Sequence, residues 1–311
     1  MITKKPININ NYTKKYIFTK NARAAWKGVI DSIKTKNTTL LLPSYIGRND
    51  KEGSGVYDAI LFSNVSAEFY KLNDDLSVNK TDFEEKIRTL NIDAALVIHY
   101  FGFCRSDMDF IKKTCKAKNT LLIEDCAHAF NLFTNSKIGT YGDFSFYSIH
   151  KYLPSKSGGI LHVNNGYYEE QINNTPIESI DINDLKIFAV SDLPAIYEKR
   201  RQNYLLYQKY FENKKYLIQL YTLSNMDNPQ TFPILIKNNL REKLYFHLIE
   251  KNIITIALYY RLIDEIDTEL YSNTKSISNN ILNLPVHQDI TECEINSICK
   301  EVDDYLNTNN I

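Results

Sequence analysis

The sequence predicts an α/β protein with a mainly parallel central sheet and a second, smaller α+β unit. Short apolar runs alternate with amphipathic helical patterns through the first half of the chain, which is typical of right-handed βαβ units. Past residue 190 the pattern changes to long helices with fewer strands, and 311 residues are enough for a large core and a small one. We therefore expect a large domain over residues 1–190 and a small domain over 191–311.

The first helical pattern covers residues 21–36, with Asn21 as its predicted N-cap. Apolar residues recur there at helical spacing. The first amides of such a helix form a potential anion site, because helix N-termini carry unpaired N–H groups and a partial positive charge. A plain amphipathic helix with a polar cap explains this segment equally well.

The rest of the large domain is predicted from short apolar runs and helical patterns in alternation. Turn signals separate the apolar runs Thr39–Leu42, Tyr57–Phe62 and Glu68–Leu72, and the last of these alternates as a strand does. The remaining predicted elements are a helix at Lys80–Leu90, a strand at Ala94–His99, a helix at Asp107–Lys118, a strand at Thr120–Ile123, and strands at Phe144–Ser148 and Gly159–Val163.

The small domain is predicted to begin after a polar, turn-rich stretch over residues 165–192, where periodicity weakens. This change in pattern places the domain boundary near residue 190. The elements predicted beyond it are a helix at Pro194–Phe211, a strand at Gln230–Ile236, a helix at Leu240–Lys251, a strand at Ile253–Leu258 and a helix at Glu292–Leu306.

Composition excludes or disfavours several classes of function. The 37 basic and 37 acidic residues give zero formal net charge, so no global field attracts nucleic acid or an anionic membrane. No apolar run approaches the ~20 residues of a membrane-spanning helix, and the amino terminus lacks the apolar core of a signal peptide. We therefore expect a cytoplasmic protein with no nucleic-acid or membrane partner.

Histidine and cysteine spacing disfavours metal and disulfide chemistry. The five cysteines are odd in number and form no CxxC pair, so we expect reduced thiols. The six histidines include no i, i+4 pair of the kind that binds zinc on a helix, and we predict no metal site. A GxSxG nucleophile elbow is also absent from the sequence, which disfavours a serine hydrolase.

Reactive side chains cluster at predicted strand ends between residues 121 and 163. Asp125 and His128 follow the apolar run that begins at Leu121, and Ser148 and Lys151 follow the strand Phe144–Ser148. Ligands of open α/β sheets bind outside the carboxyl ends of the strands. The stretch is therefore the candidate site.

Lys151 is the candidate nucleophile of this stretch. Its apolar and aromatic neighbours in sequence favour desolvation, which lowers a lysine pKa toward neutrality. A pyridoxal 5′-phosphate enzyme needs such a lysine, an aspartate for the pyridinium nitrogen and donors for the phosphate. Asp125, Ser148 and the amides of Ala22 and Arg23 would complete that set. Taken singly, the same residues also fit a helix cap, a surface lysine and a strand-end hydroxyl.

The sequence resembles the DegT-type (StrS-type) sugar aminotransferases, which have the aspartate aminotransferase fold, fold type I of the pyridoxal-phosphate enzymes. Two further segments, Leu42–Tyr45 and Leu284–Gln288, show weaker similarity to the family, so the resemblance extends over most of the chain. The central motifs that carry it are Ile98-His99-Tyr100-Phe101-Gly102, Ile123-Glu124-Asp125-Cys126-Ala127-His128, Gly139-Thr140-Tyr141-Gly142-Asp143, and Ser148-Ile149-His150-Lys151 followed by Gly158-Gly159.

The resemblance implies three catalytic residues around the cofactor ring. Asp125 would pair with the pyridine nitrogen, and His128 would lie near the ring 3-hydroxyl, where the family has Gln or His. Lys151 would form the Schiff base with the cofactor and carry the proton during amino transfer. The implied cofactor is pyridoxal 5′-phosphate.

The resemblance also implies a phosphate site and a ring-stacking residue. Ser148 would bind the phosphate together with the amides of Ala22 and Arg23, and Tyr45 would stack on the ring. Family members are generally homodimers that transfer an amino group from glutamate to a keto-sugar nucleotide in amino-sugar and polysaccharide biosynthesis. We expect the same class of activity and assembly here.

Two departures from the family pattern keep other functions open. Lys151 follows Ser148 by three residues rather than five, with Lys156 as a rival that lies close to Gly158-Gly159. The family's GxNxR segment, which reaches the neighbouring subunit, has no counterpart over residues 165–192. One alternative is an altered or inactive member that acts as a binding or regulatory protein. Another is a pyridoxal-phosphate-dependent deoxysugar lyase or dehydratase, although the known dehydratase variant has His in place of the lysine.

Overall fold

The computed structural model describes residues 16–50, 53–132, 134 and 136–309. The amino-terminal residues on which the signal-peptide expectation depends lie outside this range. A seven-stranded sheet forms the centre of the first half of the chain. Its strands are β1 (Tyr16–Thr19), β2 (Thr39–Pro43), β3 (Ser66–Tyr70), β4 (Ala94–Ile98), β5 (Leu121–Cys126), β6 (Phe144–Ser148) and β7 (Gly159–Val163).

The strand order is β1-β7-β6-β5-β4-β2-β3. Strands β2 to β6 run parallel, whereas β7 runs antiparallel to both β6 and β1. Strands β4, β5 and β6 are buried at every residue except Leu121, as expected for parallel strands covered on both faces. The predicted α/β class with a mainly parallel sheet is confirmed, and the carboxyl ends of β5 and β6 lie side by side.

Helices cover this sheet, beginning with α1. Asn21 is the N-cap of α1, as predicted, and its side chain accepts a hydrogen bond of 2.8 Å from the amide of Ala24. Trp26 of α1 stacks on Phe146 of β6 with ring centroids 5.7 Å apart, which fixes the helix over the sheet. The helices of this half are α1 (Ala22–Ile33), α2 (Tyr57–Ser63), α3 (Lys80–Thr89), α4 (Met108–Ala117), α5 (Glu169–Asn173) and α6 (Ile182–Val190).

The second half of the chain has its own antiparallel sheet of three strands, in the order β10-β9-β8. Long helices pack beside it, and α7 contacts both β9 and α10. This is the expected α+β arrangement; the boundary near residue 190 stays a prediction. The elements are α7 (Leu193–Tyr210), β8 (Leu217–Gln219), β9 (Thr231–Ile236), α8 (Arg241–Glu250), α9 (Ser272–Asn280), β10 (Ile281–Pro285) and α10 (Glu292–Asn309).

The predicted strand at Ile253–Leu258 is wrong. Only Ile256 pairs there, in an isolated bridge with Asn283. Ile254 and Ile256 are 81% and 49% exposed, so their apolar side chains do not face a core as those of a strand would. The apolar run is a loop, and it ends at Tyr259, whose φ of 60° is incompatible with a strand.

Two further segments differ from the pattern. The apolar run at Tyr57–Phe62 is helix α2, and Phe62 is 69% exposed on it. The turn-rich stretch 165–192 contains the short helices α5 and α6, the second capped by the Asp181 carboxylate, which accepts a 2.7 Å hydrogen bond from Asn183. Local capping therefore stabilises helices where periodicity is weak. None of the helices in the described part of the chain is both long and apolar enough to cross a bilayer.

Candidate active site

A cavity of about 1040 Å³ opens at the carboxyl ends of β5 and β6. All the predicted site residues except Tyr45 line it. We call the side formed by the sheet and the start of α1 the sheet wall: Ala22, Arg23, Asp125, His128, Ser148 and Lys151. The part formed by α8 and the loop after it is the loop wall: Arg241, Tyr245, Phe246, Ile256, Tyr259 and Tyr260.

The start of α1 lies directly against β7, which brings its first amides to Ser148. Ser148 pairs with Gly159 across β6 and β7, and a Cβ atom at Gly159 would lie 2.6 Å from the amide nitrogen of Ala22 and 2.3 Å from the carbonyl carbon of Asn21. Only glycine allows this approach. The hydroxyl of Ser148 and the amides of Ala22 and Arg23 at the helix N-terminus therefore form one concave surface of donors, which we call the donor cradle and which is suited to a phosphate.

Asp125 is the penultimate residue of β5 and lines the cavity from a buried position. One oxygen accepts a 2.8 Å hydrogen bond from the amide of Ala127. Burial raises the pKa of Asp125, and this rise is opposed by the charge of Lys151 and by the Ala127 hydrogen bond. The carboxylate is thus a buried acceptor with one cationic neighbour inside the cavity.

Lys151 lies in a helical turn that follows β6. The amides of Tyr152 and Leu153 donate to the carbonyl of Ile149 at 3.0 Å, which closes the turn around Lys151. Burial lowers the pKa of Lys151 to about 8, although the nearby Asp125 carboxylate opposes the shift. A substantial fraction of neutral amine is therefore present near pH 8, as a nucleophile or general base requires.

His128 is buried beside this pair, between two aromatic rings. The rings of Phe101 and Tyr259 lie on it with centroid distances of 6.0 and 5.8 Å. Burial and then the charge of Lys151 hold the pKa of His128 well below its usual value, so its imidazole is neutral at neutral pH. The Phe101 amide donates to its Nδ1 at 3.4 Å, which leaves Nε2 as the protonated nitrogen.

Tyr45 lies outside the cavity lining, one layer behind Tyr259. Its ring packs edge-on against that of Tyr259 at 5.2 Å, and its hydroxyl donates to the carbonyl of Leu258 at 3.1 Å. Tyr45 therefore supports the loop wall. Sequence reasoning missed Tyr259, because its position on the cavity depends on a loop backbone with positive φ that no local pattern announces.

Glu124, the residue before Asp125, points to the other face of β5 and makes a different set of bonds. One of its oxygens accepts from the amides of Tyr141 and Gly142 at 2.7 and 2.8 Å. The other accepts from the amide of Gly139 at 2.9 Å and lies 2.8 Å from His99 Nε2. Glu124 therefore fixes the 139–142 turn and takes no part in the cavity.

One group of potential metal ligands occurs among the described residues, formed by His99, Glu124 and Cys126. All three are buried, and both Glu124 oxygens already accept the bonds given above. We interpret these three residues as part of a structural hydrogen-bond network. The expectation that the protein binds no metal stays a prediction.

The sheet wall fits pyridoxal 5′-phosphate. The close approach at Gly159 forms a donor cradle for the phosphate, Asp125 is an acceptor for a protonated ring nitrogen, and Lys151 has an amine of lowered pKa. The specific roles of these residues remain predictions.

Comparison with known proteins gives a family match. A sequence model of the DegT/DnrJ/EryC1/StrS aminotransferase family matches residues 56–183 and 185–303, with one break at residue 184. GDP-perosamine synthase of Escherichia coli O157:H7 is 33% identical over 95 residues, which is 30% of this chain and 26% of that protein. The chain therefore spans about a quarter of the length of that curated relative in the matched region.

Solved structures show the same fold at low sequence identity. Helicobacter pylori PseC, an aminotransferase involved in the biosynthesis of pseudoaminic acid, superimposes with a TM-score of 0.76 at 16% identity, over 94% of this chain and 87% of that one. NtdA of Bacillus subtilis, solved with bound cofactor PMP, gives a TM-score of 0.76 at 17% identity, over 96% and 75% of the two chains. The predicted aminotransferase fold is confirmed.

Proposed function

The chain belongs to the DegT/DnrJ/EryC1/StrS aminotransferase family, and we propose that it is a pyridoxal-phosphate-dependent aminotransferase acting on a keto-sugar. The observation that carries the proposal is the sheet wall, where Asp125, Lys151 and the donor cradle beside Ser148 line one cavity. A lysine of lowered pKa, a buried carboxylate and an anion site are the three features that this chemistry requires.

The residues of the sheet wall would hold the cofactor at three points. Lys151 would be the covalent attachment point through Nζ, and Asp125 would accept a hydrogen bond from the protonated ring nitrogen. Ser148 and the amides of Ala22 and Arg23 would bind the phosphate. When bound, pyridoxal 5′-phosphate supplies an aldehyde that condenses with amines and a ring that accepts electrons.

The chain's own residues would then direct the transfer. Nζ of Lys151 would take the proton from the donor's α carbon in the first half of the transfer and would give one to the acceptor carbon in the second half. The neutral imidazole of His128 would donate a hydrogen bond through Nε2 to the ring 3-oxygen without adding positive charge beside Lys151. Tyr259 of the loop wall, which stacks on His128, would keep the imidazole in place beside Lys151.

The substrate part of the proposal rests on relatives and on the loop wall. GDP-perosamine synthase carries a GDP-linked sugar in its name, and PseC acts in pseudoaminic acid biosynthesis. Arg241 and the aromatic residues of the loop wall offer a cation and stacking surfaces to a substrate of that kind. We propose glutamate as the amino donor, a nucleotide-linked keto-sugar as the acceptor, and a cytoplasmic homodimer as the working form.

A titration with pyridoxal 5′-phosphate tests the cofactor site. The wild-type protein should develop the visible absorption band of a lysine-bound cofactor, and Lys151→Ala should not. Lys156→Ala is the matched control, because Lys156 also lines the cavity and is the rival lysine in sequence. A band that survives Lys151→Ala, or disappears in Lys156→Ala, refutes the assignment.

Exchange with glutamate tests the transfer itself. Adding glutamate to the loaded protein should bleach the band and release 2-oxoglutarate in equal amount. A protein that binds the cofactor and leaves glutamate unchanged would be a binding or regulatory member of the family. When a sugar nucleotide is added as well, release of a deoxysugar product without transfer of nitrogen would instead identify a lyase or dehydratase.

A further inference from the structure

A buried guanidinium lies behind Lys151. Arg200, on α7, is only 2% exposed and pairs with no carboxylate among the described residues. A buried cation is costly unless hydrogen bonds satisfy it. Three oxygens accept hydrogen bonds from Arg200: Oε1 of Gln288 at 3.1 Å, and the main-chain carbonyls of Gln230 and Lys151, both at 3.2 Å.

The same side chain also fixes the residue after Lys151. The guanidinium lies over the ring of Tyr152, 4.3 Å from its centroid, and Gln288 donates to the Tyr152 carbonyl at 3.1 Å. Two consecutive carbonyls of the lysine turn are therefore held by the Arg200–Gln288 pair. Both of these polar side chains come from the second half of the chain.

Tyr152 links Arg200 to the main chain of His128. Its hydroxyl is buried, 2.8 Å from the carbonyl oxygen of His128 and 2.9 Å from that of Asn228. Arg200 thus contacts the main chain of Lys151 directly and that of His128 through one intervening ring. Neither contact reaches into the cavity.

We propose that Arg200 is a positioning residue that holds Lys151 and His128 in place for the chemistry of the sheet wall. This inference rests on the proposed function. The Lys151 side chain has four rotatable bonds beyond its Cα, so fixing the peptide at its base limits the positions that Nζ can reach. Without Arg200, Nζ would occupy a wider and more hydrated set of positions.

Arg201 is a natural control for a purely structural role. It is the next residue on α7 and its guanidinium also donates to main-chain carbonyls, those of Ser224 and Asp227. These belong to a turn that does not line the cavity. Losing Arg201 should destabilise the fold without disturbing Lys151.

The experiment compares Arg200→Met with Arg201→Met, with three measurements on each. The first is the thermal midpoint, and the second is the dissociation constant for pyridoxal 5′-phosphate. The third is the midpoint pH of covalent labelling at Lys151 in the cofactor-free protein, quantified by mass spectrometry. Asp125 and His128 are the titratable groups that interact with Lys151, and both are unchanged in the two variants.

Arg200→Met should raise the dissociation constant about tenfold or more, because only the smaller fraction of molecules with Nζ of Lys151 correctly placed would bind the cofactor fully. The labelling midpoint of Lys151 should move upward by about half a unit or more, because a hydrated amine binds its proton more tightly. Arg201→Met should leave both values unchanged within about twofold, even where its thermal midpoint falls equally. Arg200→Lys keeps the charge but loses the planar guanidinium with its several donors. Its dissociation constant and its labelling midpoint should therefore lie between those of wild type and of Arg200→Met.

Equal effects of Arg200→Met and Arg201→Met on labelling and cofactor affinity would overturn the proposal. If Arg200→Met does not fold, Arg200→Lys decides: it keeps the charge but loses the guanidinium donor that reaches the Lys151 carbonyl, and unchanged labelling in that variant refutes the proposal. A wild-type protein that fails to bind the cofactor refutes the proposed function instead. The labelling comparison still tests Arg200 in that case, because it uses no cofactor.

Discussion

The two walls of the cavity are built in different ways. Asp125 and Ser148 of the sheet wall are buried at the ends of strands, and hydrogen bonds fix the turn that holds Lys151. In the loop wall, by contrast, Phe246 is 55% exposed and Tyr260 48% exposed. Chemistry that needs fixed geometry belongs on rigid elements, whereas variable contacts to substrates belong on loops. We therefore expect the sheet wall to determine cofactor binding and catalysis, and the loop wall to determine the substrate.

The strongest test of this division removes one charge from the sheet wall. Asp125→Asn keeps the shape of the side chain and loses the carboxylate, so the electron-accepting state of the ring loses its counter-charge. We expect the rate of amino transfer to fall by about 10²–10³-fold, the usual effect of one electrostatic group aimed at developing charge. Single-turnover kinetics with glutamate measure this rate.

Glu124→Gln is the control for Asp125→Asn, because the two carboxylates are adjacent on β5 and face opposite ways. Glu124 accepts hydrogen bonds from three main-chain amides and lies beside His99. Loss of its carboxylate should therefore lower the free energy of unfolding by about 3 kcal/mol. The rate per folded molecule should change much less than in Asp125→Asn. A larger kinetic effect at Glu124 would contradict the assignment of the two carboxylates.

The donor cradle gives the next largest expected effect. Gly159→Ala would place a Cβ within 2.3 Å of Asn21 and push the start of α1 away from Ser148. We expect the dissociation constant for pyridoxal 5′-phosphate to rise about 10- to 100-fold, since several donors to one phosphate are displaced together.

Gly55→Ala is the matched control for the cradle, because Gly55 lines the same cavity and a Cβ there meets nothing within 4 Å. Binding of pyridoxal, which lacks the phosphate, should be nearly unaffected by Gly159→Ala. An equal loss of affinity for both ligands would show that the substitution acts on the fold rather than on a phosphate site.

The difference between the walls also explains what the sequence predicted well. Strands β6 and β7 coincide with the predicted Phe144–Ser148 and Gly159–Val163, because a buried apolar strand bounded by turn residues carries its own signal. Asp125 and Lys151 follow from such strands by position alone. The adjacency of β5 and β6 in the sheet, which the structure shows, then brings the two residues together.

The loop wall was beyond sequence reasoning for a physical reason. The run Ile253–Leu258 has the composition of a strand, yet its conformation depends on Tyr45 and the positive φ of Tyr259, which are tertiary effects.

The contact of Arg200 with the Lys151 carbonyl joins residues 49 positions apart in sequence, and no local pattern encodes it. Short helices such as α6 were missed because capping outweighs periodicity in them.

The buried state of Lys151 predicts a pH dependence of stability in the cofactor-free protein. Burial lowers its pKa from 10.5 to about 8, so between these values the unfolded state binds more protons than the folded state. The free energy of unfolding contributed by this group therefore rises with pH across that window. Below pH 8 the full penalty for burying the charged amine is present.

Lys151→Met removes this penalty and should stabilise the cofactor-free protein at pH 7 by about 1–2 kcal/mol, allowing for partial hydration in the cavity. The advantage over wild type should shrink as pH rises from 8 toward 10.5. Denaturant unfolding at several pH values measures both effects, and ionisation of the tyrosines cancels in the difference. A difference that stays constant with pH would mean that Lys151 is hydrated and unshifted, and the sheet wall less enclosed than its burial indicates.

The smallest expected effects belong to the loop wall. Arg241→Met removes a cation that lies 5.8 Å from the Tyr260 ring, and Phe246→Ser removes an exposed ring at the cavity. Each should raise KM for an anionic sugar acceptor about three- to tenfold, the size of one partly exposed cation or stacking contact. The dissociation constant for pyridoxal 5′-phosphate should stay within about twofold, because neither residue is part of the donor cradle.

Steady-state kinetics at several salt concentrations separate the two variants, since only the contribution of Arg241 is screened. If either substitution weakens cofactor binding as strongly as Gly159→Ala does, the walls are not independent, and the loop wall closes over the cofactor as well as over the substrate.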